Sequence, residues 1–89
     1  MWKLGFAKEW DYWYDKLDNS VLELVGKRLA RIEESDREYE HLGKGLPFFK
    51  DEFHDQFRIC FHEDKKSKTR TLHFVGDHKQ YERWLGMRA

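Results

Sequence analysis

Three features of this 89-residue chain predict an α+β fold. Apolar residues recur at helical spacing through the first third. They alternate with a period of two through Gln56–His62 and Thr71–Val75, and Gly76-Asp77 opens a last amphipathic segment. Helices in one run and strands in the next imply an antiparallel sheet packed against an N-terminal helical hairpin, with a short C-terminal helix. The expected order is β-α-α-β-β-β-α.

Each element has its own signal. Trp2, Leu4 and Phe6 alternate with Lys3 and Gly5, the pattern of a short strand. The period then changes: Phe6, Trp10, Trp13, Tyr14 and Leu17 share a helical face opposite Lys8, Glu9, Asp11, Asp15 and Lys16. Asp18-Asn19-Ser20 interrupts that helix, and Ser20-Val21-Leu22-Glu23 has the form of a capping box. A second helix runs from there to about Glu34 with Leu22, Val25, Leu29 and Ile32 as its stripe. Ser35–Gly45 is polar and reads as a connector, with room for one helical turn near Arg37–His41. Leu46-Pro47-Phe48-Phe49 starts a strand to about Phe53, and Pro47 suits a strand's beginning because it has no N–H for the ladder. His54-Asp55 reads as a tight turn, and Lys65-Lys66-Ser67-Lys68 as a solvated hairpin tip. Asp77 is placed to cap a final helix carrying Tyr81, Trp84 and Leu85 on one side.

Alternation also assigns faces. Phe57, Ile59 and Phe61 point one way, and Arg58, Cys60 and His62 the other. By the same rule Leu72 and Phe74 share a face, with Thr71, His73 and Val75 opposite. If the aromatic faces are buried, Arg58, His62 and His73 stand together on a cationic, proton-exchanging surface. Lys50 and Glu52 share the outward face of their strand with Phe48 if Phe49 and Phe53 point inward.

Composition bounds the function. A chain this short forms one domain, residues 1–89, and buries roughly 60–65% of its unfolded surface. Seven Phe, four Trp and four Tyr supply the apolar area in an otherwise polar chain. The single cysteine cannot form an intrachain disulfide, and no apolar run approaches the ~20 residues of a membrane span. The expected setting is the cytoplasm, without a membrane partner. Net charge is zero, which disfavours a non-specific nucleic-acid binder. It is unevenly spread: residues 1–42 hold 7 Lys/Arg against 10 Asp/Glu, and residues 43–89 hold 10 against 7. The halves therefore carry −3 and +3, with the basic excess on the half containing the hairpin.

Taken in order, these elements resemble the RelE/ParE superfamily of toxins from type II toxin–antitoxin systems. The resemblance covers nearly the whole length. It rests on an initial strand leading into two helices, the connector Leu42-Gly43-Lys44-Gly45-Leu46, the strand Phe57-Arg58-Ile59-Cys60-Phe61 and the turn Val75-Gly76-Asp77-His78-Lys79. The resemblance implies a protein that binds a cognate antitoxin and poisons either translation or DNA gyrase. In the translation branch, mRNA on the ribosome is cut by driving the ribose 2′-OH onto the adjacent phosphate, without a metal or other cofactor. Carried over residue by residue, it makes Arg58 the group that stabilises phosphate charge and Lys50 its aid. The basic residue of the terminal turn becomes His78 or Lys79, and the family's C-terminal tyrosine corresponds loosely to Tyr81. The chain departs from many ribosome-dependent members in being neutral overall and in having Glu52 where some have a second lysine.

RNA cleavage of this kind needs a base, an acid and cationic support for the phosphorane-like transition state. Arg58 suits the last role because a guanidinium can clamp phosphate through two parallel hydrogen bonds. Glu52 could serve as base, His73 or His78 as acid or base, and Phe48 or Tyr81 could stack a nucleobase. Plainer readings stand beside these. Arg58 could instead pair with Glu52 or Glu63 across the sheet, and His62 and His73 could be neighbours on a wet surface. Cys60 reads as a small half-buried residue, and Cys60, His62 and His73 lack the paired spacing of a zinc site. Tyr12 and the Lys27, Arg28 and Arg31 face read as helix surface or as a contact with antitoxin or ribosome. Three functions follow: an endoribonuclease toxin, a gyrase-directed toxin acting by binding alone, and a non-toxic interaction domain of the same architecture.

Overall fold

The structure, a computed structural model, describes residues 1–43 and 45–88. Lys44, within the predicted connector, lies outside the described residues. The elements are β1 (Lys3–Phe6), α1 (Trp10–Tyr14), α2 (Asn19–Glu34), β2 (Glu40–Gly43), β3 (Leu46–Phe53), β4 (Phe57–Asp64), β5 (Thr69–Asp77) and α3 (His78–Gly86). The strands form one sheet in the order β1-β5-β4-β3-β2, with β1 parallel to β5 and every other pairing antiparallel.

The α+β class and the expected succession of elements hold, with one addition. Within the stretch read as a connector, Glu40–Gly43 is a strand that pairs with β3, Glu40 opposite Lys50 and His41 opposite Phe49. Its sequence, Glu-His-Leu-Gly, is too short and polar to announce a strand; the exposed edge of β3 recruits it. Gly43 and Gly45 both adopt φ of +77°, a left-handed conformation that glycine takes without steric cost. The next turn has no glycine, and His54 and Asp55 enter the left-handed region at φ of 50° and 60°. Aspartate and histidine tolerate that region better than most residues.

The two helices after β1 are unequal and go to different places. α1 spans five residues, and its Trp13 packs edge-on against Phe74 with ring centroids 5.0 Å apart. Phe6, assigned to the helical stripe as well as the strand, ends β1 and is largely exposed. α2 is capped two residues earlier than the predicted capping box, whose cap would be Ser20. Asp18 is the N-cap, its carboxylate accepting the Ser20 amide, so Val21 joins Val25 and Ile32 as the buried stripe. α2 lies on the face of Ile59 and Asp51: its Arg28 grips Asp51 through two hydrogen bonds of 2.9 and 2.6 Å.

Across the sheet, Glu52, Arg58 and Gly76 form one row, and Asp51, Ile59 and Val75 the next. The register shifts between the pairs Cys60–Phe74 and Phe61–Leu72, leaving His73 as an extra residue in β5. That bulge corrects the predicted faces of this strand. Leu72 and Val75 lie with Ile59 and Phe61 on the α2 side. Phe74 lies with Cys60 and Arg58 on the other, where it packs against Tyr81 and Trp84 of α3. Period two holds only while the ladder is unbroken.

Both faces are therefore buried, by rings on each. Phe61 and Ile59 are fully covered on the α2 side, and Phe74 and Trp84 on the α3 side. Arg70, 1% exposed, is held by Glu63 at 2.9 Å. It also donates to the carbonyls of Ile32 (2.7 Å) and Ser35 (2.9 Å), and its guanidinium lies 4.1 Å from the Trp2 ring centre. One arginine thus caps the end of α2 and ties it to β4 and β5, with its charge paired and its donors used.

Candidate functional site

The pleat of β3 sends Lys50 and Glu52 to the α3 side, and the register sets Glu52 beside Arg58. Gly76, opposite Arg58, has no side chain to fill the space between sheet and helix. A Cβ there would stand 2.7 Å from Gln80 Oε1 and 2.9 Å from Phe74 Cζ. The chain then turns at Asp77, whose carboxylate accepts the Gln80 amide while Gln80 Oε1 accepts the Asp77 amide. This reciprocal cap starts α3 immediately and places His78 against Arg58.

The result is a row of charged groups along the α3 side of β3 and β4, termed the groove between sheet and helix. Arg58 Nη2 is 3.0 Å from Glu52 Oε2, and Arg58 Nη1 is 2.8 Å from His78 Nδ1. Lys50 Nζ is 3.5 Å from Glu52 and 3.5 Å from Glu40, and His78 Nε2 is 3.4 Å from Glu82. The Arg58 guanidinium stands 4.6 Å from the Tyr81 ring centre, a cation–π contact that supports it from one side. The side chains of Arg58 and Lys50 are each 16% exposed, and Glu52 is 47% exposed. Among the described residues, Arg58 Nε is buried without a hydrogen-bond partner.

Cys60 forms the floor beside Lys50, fully buried. Burial raises its thiol far above the ordinary cysteine range, with only partial relief from Lys50 and Arg58. It is a packing residue and no nucleophile at neutral pH. Burial likewise raises the Tyr81 phenol, so its hydroxyl stays protonated at neutral pH.

Of the residues singled out by sequence, Arg58, Lys50, Glu52, His78 and Tyr81 come together, and Lys79 is exposed in the first turn of α3 beside them. His73 and Phe48 do not join them. His73 sits in the bulge with Nδ1 2.7 Å from Glu9 Oε2, a carboxylate that also accepts Trp84 Nε1 at 3.1 Å and pairs with Arg88. The expected display of His73 beside Arg58 is corrected by that partner set. Phe48 is 7% exposed, its ring wedged between His73 and Trp84 at 4.9 and 5.0 Å, so it is a core ring unable to stack a nucleobase. His62 pairs with Thr71 farther along β4. Of the two cross-sheet partners offered for Arg58, Glu52 is taken, whereas Glu63 is engaged by Arg70.

Two members of the groove carried no earlier assignment. Glu82 was findable, four residues after His78 on one helical face. Glu40 was not, because its position depends on a strand without a sequence signal. Among the described residues, no three His, Cys, Asp or Glu side chains are grouped to hold a metal ion. No helix among them is long and apolar enough to cross a membrane. A hollow of about 580 Å³ opens beside Trp2, Tyr39 and Arg70, away from this chemistry.

No family model matches the sequence, and no curated protein matches it either. Solved structures do match the fold. The RelBE2 toxin–antitoxin complex of Mycobacterium tuberculosis aligns with a TM-score of 0.74 at 16% identity, over 86% of this chain and 91% of that one. The intact Escherichia coli RelBE toxin–antitoxin complex gives 0.71 at 22% identity, over 86% and 96%. The isolated E. coli RelE toxin gives 0.72 at 18% identity, over the whole of both chains. The chain has the RelE/ParE-like fold of these structures, at 16–22% sequence identity.

Proposed function

We propose that this protein is the toxin of a type II toxin–antitoxin pair, an mRNA endoribonuclease that acts on the ribosome and is silenced by a cognate antitoxin. The fold shared with toxins seen in antitoxin complexes supports the partner. One observation carries the chemistry: a single guanidinium holds a carboxylate at 3.0 Å and an imidazole at 2.8 Å, with a second cation, Lys50, 3.5 Å from that carboxylate.

Those groups match the needs of transesterification at a ribose. The phosphate bridging two nucleotides enters the fork of Arg58, and Lys50 adds positive charge beside it. Glu52, on the exposed side of the fork, takes the proton of the 2′-hydroxyl as that oxygen attacks phosphorus. His78, across the guanidinium, delivers a proton to the departing 5′-oxygen. The chain ends become a 2′,3′-cyclic phosphate and a 5′-hydroxyl, with protons balanced between base and acid. Tyr81 backs the guanidinium, and Lys79 extends the cationic rim toward a neighbouring phosphate.

Arg58→Ala tests this directly. Expression of the wild-type chain is expected to arrest growth and to produce transcript ends phased with the reading frame. The variant loses cleavage by about 10²–10³-fold, as removal of an oxyanion-stabilising donor does. It should stay folded by circular dichroism and still bind the antitoxin. Arrest that survives Arg58→Ala and brings a DNA-damage response would replace the nuclease by a gyrase poison; harmless expression would leave an interaction domain.

A further inference from the structure

Arg58 holds both groups assigned to proton transfer, and it holds them in a way that fixes their state. A guanidinium has N–H donors and no acceptor. At 2.8 Å from Arg58 Nη1, the Nδ1 atom of His78 must present its lone pair, so the neutral ring carries its proton on Nε2, toward Glu82 at 3.4 Å. A doubly protonated ring would set N–H against N–H. In the same grip, Glu52 accepts from Nη2 at 3.0 Å. The two sites on which a phosphate would sit are thus filled by the protein's own base and acid, while Nε, buried beside them, has no partner among the described residues.

We infer that Arg58 is an anion-operated latch: capture of an oxyanion by its guanidinium displaces Glu52 and His78 together, and His78 takes up a proton at Nδ1 as it is released. The significance of the latch rests on the endoribonuclease reading, in which it arms base and acid only when a phosphate is seated. Its physics rests on the geometry alone. Released from Arg58, Glu52 keeps Lys50 as partner, 3.5 Å away. The freed imidazole faces Glu82, 3.4 Å away on its own helix, and the bound anion, with Lys79 the next residue along α3. The other nearby charges are the Asp77 cap and, across Lys50, Glu40 of β2. In the free protein the groove is self-neutralised, with Glu52 occupying the guanidinium until an anion displaces it.

Sulfate is the probe, because it does not itself titrate near neutral pH, and a DNA dinucleotide, whose phosphodiester has no 2′-hydroxyl to react, is the second. Titration calorimetry of the full chain near the ordinary histidine range, in buffers of different ionisation enthalpy, is expected to show uptake of up to about one proton per anion bound. Two-bond ¹H–¹⁵N spectra of the imidazole are expected to show Nε2–H in the free protein and the imidazolium with anion present. His78→Gln should bind sulfate without proton uptake, and Arg58→Ala should lose the response. An Nδ1–H tautomer in the free protein, binding without uptake, uptake that persists in His78→Gln, or no response to either anion would each overturn the latch. None of these readouts requires catalysis. A chain that takes up the proton yet cuts no transcript loses the nuclease assignment and keeps the latch; cleavage without uptake does the reverse.

Discussion

Arg58 and Cys60 occupy alternate positions on one strand and one face, and their fates differ because of what lies above each. Arg58 opens to the groove between β3 and α3, whereas Cys60 is covered completely. The buried thiol has a thermodynamic consequence with a definite sign. Its proton is held in the folded state and released from the unfolded chain above about pH 8.5. The unfolded state then binds fewer protons, so stability falls as pH rises through that range, by up to ~1.4 kcal/mol per pH unit from this group. Cys60→Ala removes that component, and the difference between the two unfolding free energies measured from pH 7 to pH 10 shows it. Alkylation by iodoacetamide should be slow in the native protein and fast in denaturant. At this scale the sequence was informative about Arg58, Lys50 and Glu52, because alternation and strand order suffice to bring them together. It misled at His73, whose pairing with Glu9 joins residues 64 apart along the chain.

The elements most important to the groove are the β5–α3 junction, the edge strand β2 and the bulge in β5. The junction was legible: Gly76-Asp77 followed by Gln80 is a capping sequence, and the structure contains the reciprocal cap. Gly76→Ala puts a methyl group into Gln80 Oε1 and the Phe74 ring. Losing the cap and displacing a packed ring together should cost about 1–3 kcal/mol, measured by urea unfolding. Because α3 carries His78, the same variant should also loosen the Arg58–His78 contact and, on the proposed nuclease reading, lower cleavage. Unchanged stability in Gly76→Ala would mean that α3 yields without resistance and is not the rigid support assigned to it. β2 and the bulge had no comparable signal. A four-residue polar strand is made by the edge it joins, and a bulge by the mismatch between two ladders; neither is written into local periodicity.

For the whole molecule, the question is how two buried faces on so thin a sheet stay in register. Arg70 links α2, the connector and both hairpin strands through Glu63 and the carbonyls of Ile32, Ser35 and Arg37. Arg70→Met leaves Glu63 buried without its partner and should cost about 3–5 kcal/mol by chemical denaturation. Arg70→Met with Glu63→Gln should recover part of that loss, since a neutral amide tolerates burial better than a lone carboxylate. Neither change touches the groove on the opposite face, so any folded fraction should keep its anion response.

Amino-acid order by itself determined the α+β class, most of the elements and the row holding Lys50, Glu52 and Arg58. These follow from local period and from strands adjacent along the chain. Tertiary packing decided the rest: the edge strand that brings Glu40, the bulge that sends Phe74 to α3 and His73 to Glu9, and the burial of Phe48. Each depends on partners distant in sequence, where hydrogen-bonding demand and ring volume prevail over local pattern. The position of His78 belongs to both. Its helix start is encoded locally, and only the folded sheet supplies the guanidinium that sets its proton.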